Sequence, residues 1–456
     1  MIQQDGRATY LGLILTWAGS FILFLWTVTY PLLSRLPIHI VALSIGVPTL
    51  YLWAIDTWAL KRGTWVIADR TKLCIYLWDG LEIEEALFFL ASNCLVVLGQ
   101  IACEYTLAIL HAFPSNFPNV PAIPSFVDLL RALALDPASF DFDRVRGLAV
   151  AVQRLRQKSR SFYLASATFE GRLRVDLIML YSFCRVADDL IDYATTSEEV
   201  ISNLSKLAAF LDIAFEDKQD ANRYDRLEYY VRGNFPPFAH DALILLPFEH
   251  LSRRPLDELL RGFKTDSRFR HSDNHQQSAE WPISDESDLD TYAFRVAGTV
   301  AGLCLELVFA NTSTTVSFQT RQRLLYAGGR MGMALQCVNI ARDIETDARL
   351  ERVYIPTSWL EREGLTPNDV MEKPGGERVE KLRDKLLAKA DGLYREARPA
   401  IEDLPPEARA SMRVAIESYM EIGRVLRKNG YRTKHGRASV PLLRRLWVAW
   451  RALNRA

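Results

Sequence analysis

Residues 176–193 read DLIMLYSFCRVADDLIDY, and this stretch decides the fold. Its apolar residues recur at helical spacing, yet Asp188, Asp189 and Asp192 crowd its end. On a helix Asp188 and Asp192 stand four residues apart and leave from one face, with Asp189 beside them. Unpaired, they would repel one another. A second copy of the arrangement lies further on, in LQCVNIARDIETDARLERVYIP (335–356). There Asp343 and Asp347 repeat the spacing, and Gln336 and Asn339 extend the same face toward the N-terminus.

A single D-x-x-x-D reads first as a solvated face paired with arginines. Two copies in apolar helices, with Arg185 before one and Arg342, Arg349 and Arg352 around the other, point elsewhere. Two such helices facing each other would build an oxygen-lined cleft suited to Mg²⁺, with Mn²⁺ as the expected substitute. Mg²⁺ takes one or two carboxylates per ion and leaves its other positions to water and phosphate. The cation would make a diphosphate a leaving group, and guanidinium donors would hold it. Apolar and aromatic walls would shelter a carbocation from water. These residues imply metal-dependent ionisation of an isoprenoid diphosphate.

The rest of the chain sets the frame. Lys plus Arg and Asp plus Glu both number 55, and no basic stripe appears, so nucleic acid is not an expected partner. The six cysteines form no C-x-x-C pair and the seven histidines show no metal-ligand spacing. From Ala8 to Ser34, and again from Leu36 to Ile55, the chain has no Asp, Glu, Lys or Arg. A third such run goes from Ala86 to Cys103. Each is long enough to cross a bilayer, and the first lacks the cleavage site of a removable signal. Pro114, Pro118, Pro121 and Pro124 then mark a linker. Beyond it, stretches such as 142–166, 285–310 and 377–401 carry apolar residues at helical spacing. The expected architecture is all-α: a membrane domain of three spans (1–112), a proline-rich linker (113–126) and an all-α class I synthase domain (127–456).

The soluble part resembles the squalene/phytoene synthase family from about Val145 onward. The resemblance rests on five motifs in order: KSRSFYLAS (158–166), CRVADDLID (184–192), LLRGFKTD (259–266), YAFRVAGTVAG (292–302) and the 335–356 segment. It implies metal binding by Asp188, Asp192, Asp343 and Asp347, with Asp189 auxiliary. It also implies substrate binding by Arg160, Ser161, Arg185, Gln336, Asn339, Arg342, Arg352 and Tyr354. The implied reaction joins two geranylgeranyl diphosphates head to head, through prephytoene diphosphate, to phytoene. Squalene synthase is the near alternative. Arg295 and an end, SVPLLRRLWVAWRALNRA, too short and too basic to span a membrane, count against it. A non-catalytic membrane assembly factor is a further alternative, disfavoured by the intact aspartates.

The N-terminal part, with PTLYLWAIDTWALKRGTW (48–65) and LEIEEALFF (81–89), resembles the small membrane lycopene cyclases that fungi fuse ahead of a phytoene synthase. That resemblance implies lycopene as a second substrate and Glu84 and Glu85 as proton donors that start β-ring closure. On the residues alone, the two glutamates read equally as acids favoured by a helix N-terminus. These cyclases carry two related three-span repeats and about one stands here, so phytoene formation is the first expectation and cyclisation the second. Lys61, Arg62, Arg70 and Lys72 would place the loop after the second span in the cytoplasm. A water-soluble diphosphate substrate instead argues for a synthase domain on the cytosolic face of the membrane, and that is the expectation adopted.

Overall fold

The computed structural model describes residues 6–121, 123–216, 220, 222–269, 281–428 and 440–454. The chain divides into two compact units, Met1–Phe140 and Asp141–Ala456.

In the first unit, α1 (Thr9–Leu33), α2 (Ile38–Lys61) and α3 (Ile83–Ala112) are each long and apolar enough to cross a membrane. Large apolar side chains such as Trp17, Phe21, Phe24, Leu43 and Leu50 point outward and are exposed. In water they would form an untenable apolar surface; hydrocarbon accounts for them. Polar ties register α2 on α3: Asn93 Nδ2 donates to Thr49 Oγ1 at 3.0 Å, and Trp53 Nε1 donates to the Ala86 carbonyl at 2.9 Å. The third span begins at Ile83, ahead of the expected Ala86, so Glu84 and Glu85 lie inside its first turn. Because the helices alternate in direction, the start of α1, the end of α2 and the start of α3 meet at one end of the bundle.

At that end lies a feature the helical reading did not foresee. Strands β1 (Tyr76–Trp78) and β2 (Leu81–Glu82) pair antiparallel across Asp79-Gly80. Gly80 adopts φ +86°, and a Cβ there would come within 2.4 Å of the Lys61 side chain. Helix α4 (Phe126–Leu133), capped by Ser125 and Asp128, brings Ala132 onto Ile109, Leu110 and Phe113. The first unit therefore continues through Phe140, past the residue 126 at which the sequence reading closes the linker.

The second unit is built of α5 (Phe142–Lys158), α6 (Arg160–Ser166), α7 (Gly171–Asp192), α8 (Ser197–Ala214), α9 (Arg223–Asn234), α10 (Pro237–Ile244) and α11 (Arg253–Arg268). It continues through α12 (Glu286–Asn311), α13 (Phe318–Ala348), α14 (Thr357–Arg362), α15 (Pro367–Glu372), α16 (Glu377–Ala397), α17 (Pro406–Lys428) and α18 (Leu442–Leu453). One apolar core gathers α7 to α11 and a second gathers α13, α16 and α17. Helix α12 is also long and apolar enough to span a membrane, but 44% of its apolar window is buried inside the protein, against 6% for α2. It is a core helix of an all-α domain, apolar because both cores press on it.

A π turn at Phe294–Gly298 interrupts α12 where α13 crosses it. A Cβ on Gly332 of α13 would meet the Ala297 carbonyl oxygen at 2.4 Å, so only glycine permits this approach. Gly298 is likewise tight against Phe294 and Gly329, whereas Gly302 has open space.

Candidate active site

The close crossing of α13 on α12, with α7 opposite, leaves a cavity of about 670 Å³ inside the second unit. Its residues fall into two classes. Asp188, Asp192, Asp266, Asp343, Asp347, Arg185, Arg342, Arg352 and Lys158 line the polar end. The rest of the lining is mostly apolar, including Phe162, Val300, Leu324, Met331 and Ile416. Both D-x-x-x-D pairs thus look into one space. On α13 the lining residues Gln336, Asn339, Asp343 and Asp347 recur at helical spacing and form one stripe.

The carboxylates are held by arginines. Arg185 reaches Asp188 at 2.9 Å and also binds Asp189. Arg352 spans from the segment after α13 to Asp192 on α7 at 2.8 Å, tying the two motifs together. Arg342 pairs with Asp343 and donates to the Asn339 side-chain oxygen, which also accepts from the Tyr419 hydroxyl at 3.0 Å. The Nε–H groups of Arg185 and Arg352 are buried with no acceptor among the described residues. Those donors suit diphosphate oxygens.

Charge is crowded here. Burial first, then the neighbouring Asp192, pushes the Asp188 carboxyl up to about 7. Burial, then Asp343, holds Asp347 well above the ordinary carboxylate range. Burial raises Asp266 to about 6, against the opposing pull of Arg352 and of the hydroxyls of Tyr354 and Tyr292, each donating at 2.8 Å. For Arg352, burial opposes the charge, but Tyr354, Asp192 and Asp266 outweigh it and raise its pKa. Among the described residues no three acids, histidines or cysteines converge closely enough to hold an ion unaided. The acids are drawn to arginines instead. Their mutual repulsion is what a divalent cation would relieve, so the donor set fits an oxygen-seeking metal.

Most of the expected site residues meet in this cavity, but not all. Asp189 faces Arg185 and Lys158 and does not line it. Arg160 is exposed and Ser161 is buried, and neither lines it; their neighbours Lys158 and Ser159 do. Asp266 and Tyr292 lie inside two of the motifs, which imply no role for either, yet both line the cavity. Asp266 extends the stripe Leu259, Phe263, Asp266 on the buried side of α11, and an acid in such a stripe was the available signal.

A second group of acids occupies the hairpin end of the first unit. Asp56, Glu82, Glu84 and Glu85 are all buried. Tyr10 OH donates to Glu85 at 2.9 Å, Trp65 Nε1 donates to Asp56 at 3.0 Å, and the Leu73 N–H donates to Glu84. Lys72 binds Glu82 at 2.6 Å and Asp69 at 3.0 Å. One oxygen each of Asp56, Glu82 and Glu84 is buried with no partner among the described residues. Asp56 and Tyr10 were not anticipated, because α2 and α1 bring them to α3 only through the packing of the bundle.

Comparison with known proteins bears on both groups. The squalene/phytoene synthase family profile matches residues 155–444. A curated relative from Gibberella fujikuroi, named bifunctional lycopene cyclase/phytoene synthase, is 50% identical over 454 residues, covering 100% of this chain and 77% of its own. Relatives of the same name from Phaeosphaeria nodorum and Neurospora crassa are 50% and 46% identical, covering 100% and 99% of this chain and 76% and 77% of their own. Among solved structures, a dehydrosqualene synthase with bound ligand matches 67% of this chain and 95% of its own, with TM-score 0.51 and 21% identity. A ligand complex of TcSQS matches 68% of this chain and 86% of its own, with TM-score 0.51 and 16% identity. At those identities the likeness establishes the all-α fold.

Proposed function

The chain belongs to the squalene/phytoene synthase family and, over its whole length, to the bifunctional lycopene cyclase/phytoene synthases, and on that premise we propose an enzyme of carotenoid biosynthesis with a separate site for each activity. The second unit is the phytoene synthase and the first is the lycopene cyclase. One observation carries the synthase reading: two aspartate pairs, the arginines that hold them (Arg185, Arg342 and Arg352) and an apolar chamber share one cavity.

The substrate is geranylgeranyl diphosphate. Arg185, Arg342, Arg352 and Lys158 hold its diphosphate, while Gln336, Asn339 and Tyr354 shape the entrance to the apolar chamber. Asp188, Asp192, Asp343 and Asp347 would hold Mg²⁺, which when bound supplies positive charge to the leaving diphosphate. The C1–O bond of one substrate breaks and its electron pair leaves with diphosphate. The double bond of the second substrate attacks the allylic cation, and loss of a proton closes a cyclopropane. A second loss of diphosphate, rearrangement and proton loss give phytoene. Through both ionisations the apolar wall keeps water from capturing the cation, and Phe162, Tyr181 and Tyr419 offer it π faces.

In the first unit, Glu84, Glu85 and Asp56, set among neutral partners, are the acids placed to donate a proton. Transfer of one proton to a terminal double bond of lycopene makes a tertiary cation. The neighbouring double bond closes the ring on it, and loss of a proton leaves a β-ring with no net change in composition. The three spans fix the protein in the membrane, with the synthase unit on the cytosolic face.

The test is incubation of the purified chain with geranylgeranyl diphosphate and Mg²⁺. Phytoene is expected; squalene made from farnesyl diphosphate and NADPH would overturn the substrate assignment, and no product from either would favour an assembly factor. Lycopene left unchanged in membranes holding the chain would sink the cyclase half.

A further inference from the structure

The C-terminal helix α18 has two unlike faces. Val448, Ala449 and Ala452 are buried, and Ala449 and Ala452 pack with Val414 on Ala165 of α6. The opposite face carries Leu443, Leu446, Trp447 and Trp450, spaced i, i+3, i+4 and i+7, and all four are exposed, Leu443 at 80% and Trp450 at 63%. A soluble surface does not ordinarily present two tryptophans and two leucines in one stripe.

The charges carried by α18 itself are all positive, although Arg444 is paired with Glu421 of α17. Arg444, Arg445 and Arg451 lie on α18 and the helix has no acid. Arg451 stacks over Trp447 at 5.3 Å. Arg445 stands near Arg160, a like charge, and its Nε–H is buried with no acceptor among the described residues. Arg160, which the resemblance assigned to substrate diphosphate, is thus exposed beside a second arginine and outside the cavity lining. Two arginines set together in this way fit a phosphate oxygen.

We propose that α18 is an interfacial helix that lies on an anionic phospholipid bilayer, its Leu443–Trp450 stripe in the acyl boundary and Arg160 and Arg445 on lipid phosphate. Tryptophan at the headgroup level, arginines that reach back to phosphate and a short helix with no acid are the features of a helix lying in the interface. At twelve residues it is too short to span, so its apolar face calls for a surface. Its buried face rests on α6 and α17, whose Phe162, Ala165, Ala415 and Ile416 line the cavity. The helix therefore holds one cavity wall at the membrane, where an apolar chain enters or leaves without crossing water.

The test uses the full chain in lipid nanodiscs, with a benzophenone amino acid replacing Trp447 or Trp450. Illumination should give phospholipid adducts, more in discs containing phosphatidylserine than in phosphatidylcholine alone. Adducts only on protein, whether the first unit or a second copy, or no adducts at all, would overturn the proposal. As a second measurement, Trp447→Glu with Trp450→Glu should lower turnover of geranylgeranyl diphosphate roughly threefold or more in nanodiscs and leave it unchanged in detergent. Equal turnover in nanodiscs, or an equal loss in both, counts against it. This second measurement rests on the synthase reading. If the unaltered chain makes no phytoene, that reading falls, and the lipid adducts alone decide the role of α18.

Discussion

The two units each bury a cluster of acids, and their partners differ. In the second unit Asp188, Asp192 and Asp343 each face a guanidinium. In the first, Asp56, Glu84 and Glu85 face an indole N–H, a backbone N–H and a phenol, and Lys72 is engaged by Glu82 and Asp69. Each arginine offsets part of the cost of burying carboxylates beside one another, a cost that metal would relieve further. Neutral donors in an apolar bundle satisfy the carboxyl oxygens without bringing a compensating charge. On the proposed function, the same side-chain type would serve ionisation in one unit and protonation in the other because its neighbours differ.

The largest expected effect comes from removing a cavity carboxylate. Asp188→Asn or Asp343→Asn should lower phytoene formation by about 10²–10³ while β-ring formation from lycopene continues, read by product analysis of one preparation. Loss of both activities together would mean that the clusters are not independent. The reciprocal change, Glu84→Gln or Asp56→Asn, should lower cyclisation by about 10² and leave phytoene formation intact. If Asp56→Asn cyclises normally, Asp56 only packs.

The contrast also sets a pH dependence. Asp188 at about 7 and Asp266 at about 6 lie above their unfolded values near ~4, so the folded, metal-free second unit binds more protons than the unfolded chain. Its stability should therefore fall as pH rises from about 4 through about 7. Mg²⁺ must displace those protons, so its affinity, read by calorimetry, should rise over the same interval and level off above it. Affinity independent of pH would remove the carboxylates from the metal site. The smallest effect belongs to Tyr292→Phe, which removes one of two hydroxyl donors to Asp266. A loss of about 1 kcal/mol in thermal unfolding is expected, with Asp266 titrating higher by NMR.

Much of this was legible in residue order. Three charge-free runs became three spans, and two D-x-x-x-D helices came to line one cavity. Spacing along a helix tells which residues share a face, and hydropathy tells which segment leaves water. What stayed hidden was which way a crowded residue turns. Asp188 and Asp189 are adjacent, yet one lines the cavity and the other turns to Arg185 and Lys158. Arg160 and Lys158 lie in one motif, and only Lys158 lines the cavity. The C-terminal segment read as too short and too basic to span, and the structure adds the exposed Trp447 and Trp450 stripe to that reading.

Local order by itself determined the helices, the three crossing segments and the closeness of acids and arginines within each motif. Hydrophobicity and helical period are properties of neighbouring residues and need no fold. Only the tertiary structure decided that Arg352 reaches Asp192 across the cavity, that Asp266 is satisfied by Tyr292 and Tyr354, and that Tyr10 and Asp56 join Glu84 and Glu85. Those contacts join residues from separate helices, and helix packing alone brings them together. The approach of α13 to α12 at Gly332 illustrates the dependence: a single missing Cβ lets two helices touch, and the cavity is built against them.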